Sequence, residues 1–239
     1  MKVNVYKDAA EVCKAMAVWI TDYIDTTLLV KEKFTWALSG GETPKKLYKL
    51  LAAQPYSKKI KWDRVHIFWG DERMVPFDDE RNNAKMAYDN LLNKVEIPSQ
   101  NIHRILTDIA PQTSAIQYEK TLHQYFDDKQ TSFDLVLLGM GEDGHTLSLF
   151  PGEEILEDKN SWVSAVNSKV KGERITLMPA IVNHSTAIAF LVTGESKAKV
   201  VQQVIEAPKL HNHPAQLIQP YNNELHWFVD EKAAKYLTR

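Results

Sequence analysis

The chain of 239 residues contains a single cysteine, Cys13. One cysteine excludes an internal disulfide and suits a reducing compartment. Cys13 falls on the apolar side of a predicted first helix, a position typical of a packed thiol rather than of a nucleophile. We therefore expect a cytoplasmic protein.

Long apolar runs and an excess of one charge are also missing. No apolar run approaches the roughly 20 residues of a membrane-spanning helix, and the N-terminal MKVNVYKDAAE lacks the apolar segment of a signal peptide. The 29 Lys and Arg residues nearly balance the 31 Asp and Glu residues, and the net charge is −2. We expect neither membrane nor nucleic-acid binding, so a local cluster of charge must hold any anionic ligand.

Short apolar segments alternate with segments of helical spacing. The predicted strands are residues 3–6, 34–38, 65–69, 133–138, 162–166, 174–177, 186–192 and 224–230. Helices are predicted over 11–24 (with Asp8 as N-cap), 44–52, 82–92, 113–126, 195–207 and 231–237, with a short helix after DGHTLSLF. This alternation is typical of an α/β fold with a mostly parallel sheet covered on both faces. No repeat or linker divides the chain, so we expect one domain over residues 1–239, with 208–224 as an irregular surface connection.

Three polar segments that contain glycine follow predicted strands directly. They are SGGETP (39–44), GDER (70–73) and GMGEDGH (139–145). In an open parallel sheet, ligands bind beyond the carboxyl ends of the strands. The shared position of these segments predicts a functional site there.

SGGETP has the features of an anion-binding turn. Two glycines before a helix leave backbone N–H groups open, the helix N-terminus attracts negative charge, and the hydroxyls of Ser39 and Thr43 can donate. The segment is neither a Walker loop nor a GxGxxG turn. An ordinary strand-to-helix turn is the alternative, and Glu42 disfavours an anion unless its carboxylate points away.

The other two segments carry titratable groups. In extended backbone, Asp71 and Arg73 project to one side and Glu72 to the other; an ion pair that braces a loop is the alternative interpretation. In GEDGH, Asp143 can accept a proton from one nitrogen of His145, which leaves the other nitrogen free to take a proton from water. A hydrogen-bonded turn histidine is the alternative there.

The sequence does not favour a metal site, and it leaves open the role of two basic side chains, Arg174 and Lys197. The HNH at 211–213 and the scattered His66, His103 and His123 do not form a ligand spacing with GEDGH. Arg174 and Lys197 follow the usual pattern of solvated surface residues. They matter for function only if the fold brings them to the SGG turn.

Taken together, these segments closely resemble the 6-phosphogluconolactonase family. The similarity covers nearly the whole chain, through LSGGETP, WGDERMVPFDDERNN, LLGMGEDGHTLSLFPG, ERITL, TGESK and ELHWFVDEKAA. It implies a modified Rossmann-like three-layer α/β sandwich, shared with glucosamine-6-phosphate deaminases. It also implies hydrolysis of 6-phospho-D-glucono-1,5-lactone in the oxidative pentose phosphate pathway. No metal or organic cofactor is implied, and we expect a monomer or small homo-oligomer.

The resemblance assigns roles to single residues. By this resemblance, His145 corresponds to the general base of the family, and Asp143 orients it. Arg73 corresponds to a residue that positions the substrate or stabilises the charge that develops on the carbonyl or ring oxygen. Asp71 matches a catalytic position of the deaminases. The residues similar to a phosphate cradle are Ser39, Gly40, Gly41, Thr43, Arg174 and Lys197. The family more often has serine in place of Glu42, which leaves a side-chain contact at that position open.

Two other functions are weighed against the lactonase. Deaminases on this fold have a DEY-like segment and DGHIAFNEP, whereas this chain has DER and places Leu149 and Phe150 where an acidic partner is expected. A non-catalytic sugar-phosphate-sensing domain would accompany a DNA-binding module, and we expect none because the first predicted strand begins at Val3.

Overall fold

The computed structural model describes residues 1–127, 129–168, 171–207 and 213–238. Within these ranges the strands are β1 (Lys2–Tyr6), β2 (Phe34–Leu38), β3 (Val65–Trp69), β4 (Asp71–Arg73), β5 (Leu135–Leu138), β6 (Val163–Ser168), β7 (Gly172–Leu177), β8 (Ala187–Val192) and β9 (Leu225–Asp230). The helices are α1 (Ala9–Leu28), α2 (Glu42–Leu51), α3 (Tyr56–Lys59), α4 (Asn83–Asn90), α5 (Pro111–Phe126), α6 (Pro179–Val182) and α7 (Ala198–Glu206).

Six strands form a parallel sheet in the order β1-β9-β8-β5-β2-β3. Every residue of β2, β5 and β8 is buried. Because successive side chains of a strand point to opposite faces, burial of all of them requires cover on both faces of the sheet. The predicted α/β fold with a mostly parallel central sheet is confirmed.

The start of α1 follows from its N-cap. Asp8 Oδ1 accepts the backbone N–H groups of Ala10 at 2.9 Å and Glu11 at 3.0 Å. These bonds satisfy donors that have no partner inside the helix. Cys13 is buried on the apolar face of α1, and burial raises the pKa of its thiol to about 11. The predictions of this cap and of a packed thiol are confirmed.

The second sheet was not predicted as a separate unit. β4, β7 and β6 pair antiparallel in the order β4-β7-β6. The segment 169–170 between β6 and β7 lies outside the described residues. This small sheet continues directly from β3, because only Gly70 separates β3 from β4. It thereby carries the DER segment away from the parallel sheet and places it beside β7.

The helix predicted over residues 231–237 is wrong. Residues 231–236 form turns. The Ala233 N–H donates to the Asp230 carboxylate and the Glu231 N–H to the Tyr6 carbonyl, both at 2.8 Å, so these two groups do not join a helical hydrogen-bond series. After DGHTLSLF the chain forms a short 3₁₀ helix over Glu154–Glu157, as predicted. The predicted surface connection 208–224 is described only from 213 onward, where Pro214–Leu217 form a 3₁₀ turn.

Candidate active site

The turn after β5 holds His145 and Asp143 in direct contact. His145 Nδ1 lies 2.5 Å from Asp143 Oδ1, and the same oxygen accepts the His145 backbone N–H at 3.1 Å. Burial alone raises the pKa of Asp143, but these hydrogen bonds outweigh it and leave that pKa below its ordinary value. Since an ionised carboxylate can only accept, His145 Nδ1 carries the proton and Nε2 is unprotonated in the neutral ring. This is the tautomer that a general base requires.

Gly141 makes room for this pair. A Cβ at Gly141 would lie 2.0 Å from His145 Nδ1 and 2.5 Å from Asp143 Oδ1. The Gly141 N–H donates to the His145 carbonyl at 2.8 Å and closes the turn. Any side chain at this position would therefore displace the imidazole or its carboxylate.

The SGGETP segment joins β2 to α2. Gly41 is the N-cap residue at φ 104°, and no side chain caps the helix among the described residues. The first-turn N–H groups of α2 thus remain open to an anion. The carboxylate of Glu42 is 83% exposed and lies 3.6 Å from Lys45 Nζ. Glu42 is also among the residues that line the cavity at this turn, so the Lys45 ammonium group and solvent offset its charge there.

Tyr48 braces this segment, and the sequence reasoning missed it. Its hydroxyl donates to the Ser39 carbonyl at 2.7 Å and accepts the Ser39 N–H at 3.0 Å. Tyr48 is fully buried, and burial raises the pKa of its hydroxyl. Nearby, the hydroxyl oxygens of Thr43 and Thr193 lie 3.1 Å apart. No sequence motif predicts either contact, because each forms only when α2 packs against its neighbours.

In β4 the side chains alternate as predicted. Asp71 and Arg73 line a cavity, and Glu72 is buried on the other side. Asp71 Oδ2 accepts the Ser148 hydroxyl at 2.6 Å and lies 4.0 Å from Arg174 Nη1. The cation beside Asp71 is therefore Arg174. The Arg73 guanidinium instead donates from Nη1 to the backbone carbonyl of Arg81, 2.6 Å away.

Glu72 caps α4. Its carboxylate accepts the backbone N–H groups of Asn83, Ala84 and Arg73, each at 2.8 Å. Burial raises the pKa of Glu72 to about 7 even though these three hydrogen bonds lower it. The side chain thus fixes the start of the helix that carries Asn83.

Asn83 is a second residue that the sequence reasoning missed. Its Nδ2 donates to the Asp71 carbonyl at 3.0 Å. Its side chain also lies against Gly40, where a Cβ would come within 2.0 Å of Asn83 Oδ1. Asn83 therefore joins β4 to the SGG turn, two segments that the sequence leaves unconnected.

The buried carboxyl of Glu72 predicts a specific dependence of stability on pH. A folded-state pKa of about 7 against an ordinary value of 4.5 means that the folded chain binds this proton more tightly. Binding of this proton stabilises the folded chain fully below pH 4.5, and the stabilisation is lost as the pH rises through 7. Each unit by which the folded-state pKa exceeds the unfolded-state pKa corresponds to roughly 1.4 kcal/mol in the free energy of unfolding. Glu72→Gln should remove this loss, as measured by urea unfolding between pH 4.5 and 7.5.

The control for this measurement is Glu173→Gln, at an exposed position of β7. We expect the free energy of unfolding of the control to follow the wild type across the pH range. Parallel pH curves for wild type and Glu72→Gln would contradict the prediction.

Arg174 and Lys197 reach the same cavity. Arg174 is the Cα partner of Arg73 across β4 and β7. The ring of Phe150 lies 5.5 Å from the Arg174 guanidinium carbon and 4.9 Å from the His145 ring centre. The guanidinium and the imidazole are thus separated by no more than one aromatic side chain.

Lys197 approaches from the turn that precedes α7. Burial lowers the pKa of its ammonium group, while the carboxylates of Glu142 and Asp143 raise it. Both carboxylates belong to the turn that carries His145, so the ammonium group lies close to that turn. Nothing near Lys197 in the sequence distinguishes it from a solvated lysine.

A cavity of about 300 Å³ brings the predicted residues together. Its volume lies at the lower end of the range for small-molecule sites. Its lining includes nine of the ten predicted site residues: Ser39, Gly40, Gly41, Thr43, Asp71, Arg73, His145, Arg174 and Lys197. The tenth, Asp143, contacts the ring of His145. A larger cavity of about 800 Å³ contains none of the ten, so size alone does not locate the site.

The described ranges hold neither a metal-binding cluster nor a helix able to span a membrane. No group of three or more His, Cys, Asp or Glu side chains there could hold a metal ion. His66 and His103 both hydrogen-bond to the hydroxyl of Tyr125, at 3.0 and 2.8 Å. In the same ranges, no helix has the length and apolar character needed to cross a membrane.

Comparison with known proteins finds similar chains and similar folds. The 6-phosphogluconolactonase of a Nostoc species is 40% identical over 221 residues, covering 90% of this chain and 89% of that one. The structure of 6-phosphogluconolactonase from Trypanosoma cruzi superposes with a TM-score of 0.87 at 28% identity, over 100% of this chain and 97% of that chain. A monomeric glucosamine-6-phosphate deaminase shares the fold, with a TM-score of 0.84 at 19% identity, over 98% and 99% of the two chains.

The family described as glucosamine-6-phosphate isomerases/6-phosphogluconolactonase matches residues 7–227. That match covers most of the chain and includes all ten predicted site residues. The resemblance found from the sequence motifs is thereby confirmed. The chain belongs to the glucosamine-6-phosphate isomerase/6-phosphogluconolactonase family.

Proposed function

We propose that this protein hydrolyses 6-phospho-D-glucono-1,5-lactone to 6-phosphogluconate, with His145 as the general base that activates water. One observation carries the proposal. An imidazole whose Nδ1 is held by Asp143 shares a cavity of about 300 Å³ with Arg174, Lys197 and an open helix N-terminus. A phosphate group and a hydrolysable carbonyl, one sugar ring apart, fit these two ends.

The cations and the SGG turn anchor the phosphate. A phosphate monoester carries about −1.5 to −2 charges at neutral pH. Each charged hydrogen bond to it contributes about 1.5–3 kcal/mol. Because these contacts lie away from the reacting carbon, their energy goes into orientation of the lactone carbonyl beside His145.

The base then acts on water. Nε2 of His145 accepts a proton as the water oxygen attacks the lactone carbon, and the ionised Asp143 stabilises the imidazolium that forms. Arg73, on the cavity wall, steadies the negative charge that develops on oxygen. The bond to the ring oxygen then breaks, and the proton held by His145 is available to that oxygen. Base assistance of roughly 10²–10⁴-fold is sufficient for an ester that is already activated.

Deaminase activity is the second candidate, because the deaminases share the fold. Its chemistry requires an acidic partner after the histidine. Here the corresponding residues are Leu149 and Phe150, both buried, and neither side chain has a carboxylate. The apolar pair favours the lactonase.

Two assays distinguish the candidates. On freshly generated 6-phosphogluconolactone, corrected for spontaneous opening, the protein should accelerate acid release well above background. With glucosamine 6-phosphate it should release no ammonia above the level of the His145→Ala variant. Rapid ammonia release together with background lactone opening would overturn the proposed function.

A further inference from the structure

A second histidine, His213, contacts the backbone of the turn that carries His145. Its Nδ1 lies 3.1 Å from the Asp143 carbonyl oxygen. Its ring covers Gly144, where a Cβ would come within 2.4 Å of His213 Nδ1, and Gly144 itself has φ +79°. Two residues on, the Ala215 N–H donates to the Gly144 carbonyl at 3.0 Å.

Among the described residues, these two contacts are the hydrogen bonds that reach the turn from outside, beside the packing of the Phe150 ring on His145. The other hydrogen bonds of residues 141–145 among the described residues run within the turn itself. The Asp143 and His145 side chains are 45% and 27% exposed, so packing restrains them only in part. A turn with an unusual backbone conformation and few outside contacts depends on each of those contacts for its position.

The direction of the His213 bond is fixed by chemistry. A backbone carbonyl can only accept, so His213 Nδ1 is the donor. Asp143 is thus held at both ends: its carbonyl by His213 and its carboxylate by His145. Movement of the backbone at Asp143 would move the carboxylate that orients the base.

The other nitrogen of His213 reaches a different part of the site. With Nδ1 protonated in the neutral ring, Nε2 can only accept, so the side-chain amide of Gln203, 3.1 Å away, pairs with it by turning its N–H group toward the ring. The Gln203 backbone carbonyl accepts the side-chain N–H of Gln216 at 3.2 Å. Gln203 lies on α7, the helix that begins directly after Lys197. His213 therefore connects the helix behind a proposed phosphate cation to the turn of the proposed base.

We propose that His213 is a positioning residue that holds the Asp143–His145 turn at the cavity and couples it to α7. The proposal rests on the proposed role of His145. The function of His213 is to keep the base oriented, so its loss should affect turnover and leave phosphate binding intact.

The test compares His213→Ala and His213→Asn in the lactone assay. His213→Ala should lower kcat roughly 10-fold, the equivalent of one lost hydrogen bond, with KM unchanged within about twofold. Asparagine places an amide N–H near the position of the histidine Nδ1, so His213→Asn should restore most of kcat. His184→Ala is the matched control, an exposed histidine that contacts Tyr221, and it should retain wild-type kcat.

Thermal unfolding of each variant separates positioning from loss of fold. Restoration of kcat by asparagine, with both variants folded at the assay temperature, supports the proposal. Unchanged kcat in His213→Ala, an effect on KM alone, or no restoration by asparagine would overturn it. Lactonase activity that survives in His145→Ala would instead contradict the proposed role of His145 as the base. Failure of the His213 proposal and failure of the proposed function therefore give different results.

Discussion

The His145→Ala variant is expected to lose about 10²–10⁴-fold in kcat for lactone hydrolysis and still to bind 6-phosphogluconate. The loss equals the contribution of a general base. Binding survives because the alanine leaves the SGG turn, Arg174 and Lys197 in place. The measurement is a coupled assay on freshly generated lactone, with product affinity determined by calorimetry.

The control for this variant is again His184→Ala, which removes an imidazole away from the cavity. It should retain both kcat and product affinity. Near-normal turnover of His145→Ala, after correction for spontaneous lactone opening, would refute the assignment of the base. Loss of product binding in the same variant would instead place the imidazole at the phosphate end.

The second large effect concerns the two cations. Lys197→Ala and Arg174→Ala should each raise KM roughly 10- to 150-fold, because each removes a charged interaction of about 1.5–3 kcal/mol with the phosphate. Arg174→Ala also leaves Asp71, 4.0 Å away and largely buried, without its cation. Lys197 therefore gives the cleaner measurement.

Lys199→Ala is the matched control for Lys197. It lies two residues further along, is exposed on α7, and should leave KM unchanged. Product affinity should fall in parallel with the rise in KM. A large loss of kcat at constant KM in Lys197→Ala or Arg174→Ala would contradict the phosphate assignment, because it would indicate an interaction made only in the transition state.

Elements with a strong local signal were predicted well from the sequence. The cap at Asp8 and the buried strand over 34–38 each depend on neighbours within a few residues. The alternation of Asp71, Glu72 and Arg73 is likewise a local property of extended backbone. In such cases propensity, capping and periodicity all favour the same structure.

The predictions failed where tertiary contacts compete with local propensity. EKAAKYL has helical composition, but Asp230 takes one of its N–H groups. Residues 174–177 form a strand as expected, yet they pair with β4 and β6 rather than with the parallel sheet. The partner of a strand depends on the path of the chain between strands. The alternation of apolar and polar residues within one strand does not specify that path.

By itself the sequence determined the chemistry that is available: a glycine-rich turn before a helix, a carboxylate beside an imidazole, and strands whose carboxyl ends meet at one edge. The tertiary structure alone decided which distant groups join them. The bond from Ser148 to Asp71 spans 77 residues and that from His213 to Asp143 spans 70. Hydrogen bonds over such separations leave no periodic pattern in a sequence, because they arise only when packed elements bring the two atoms within about 3 Å.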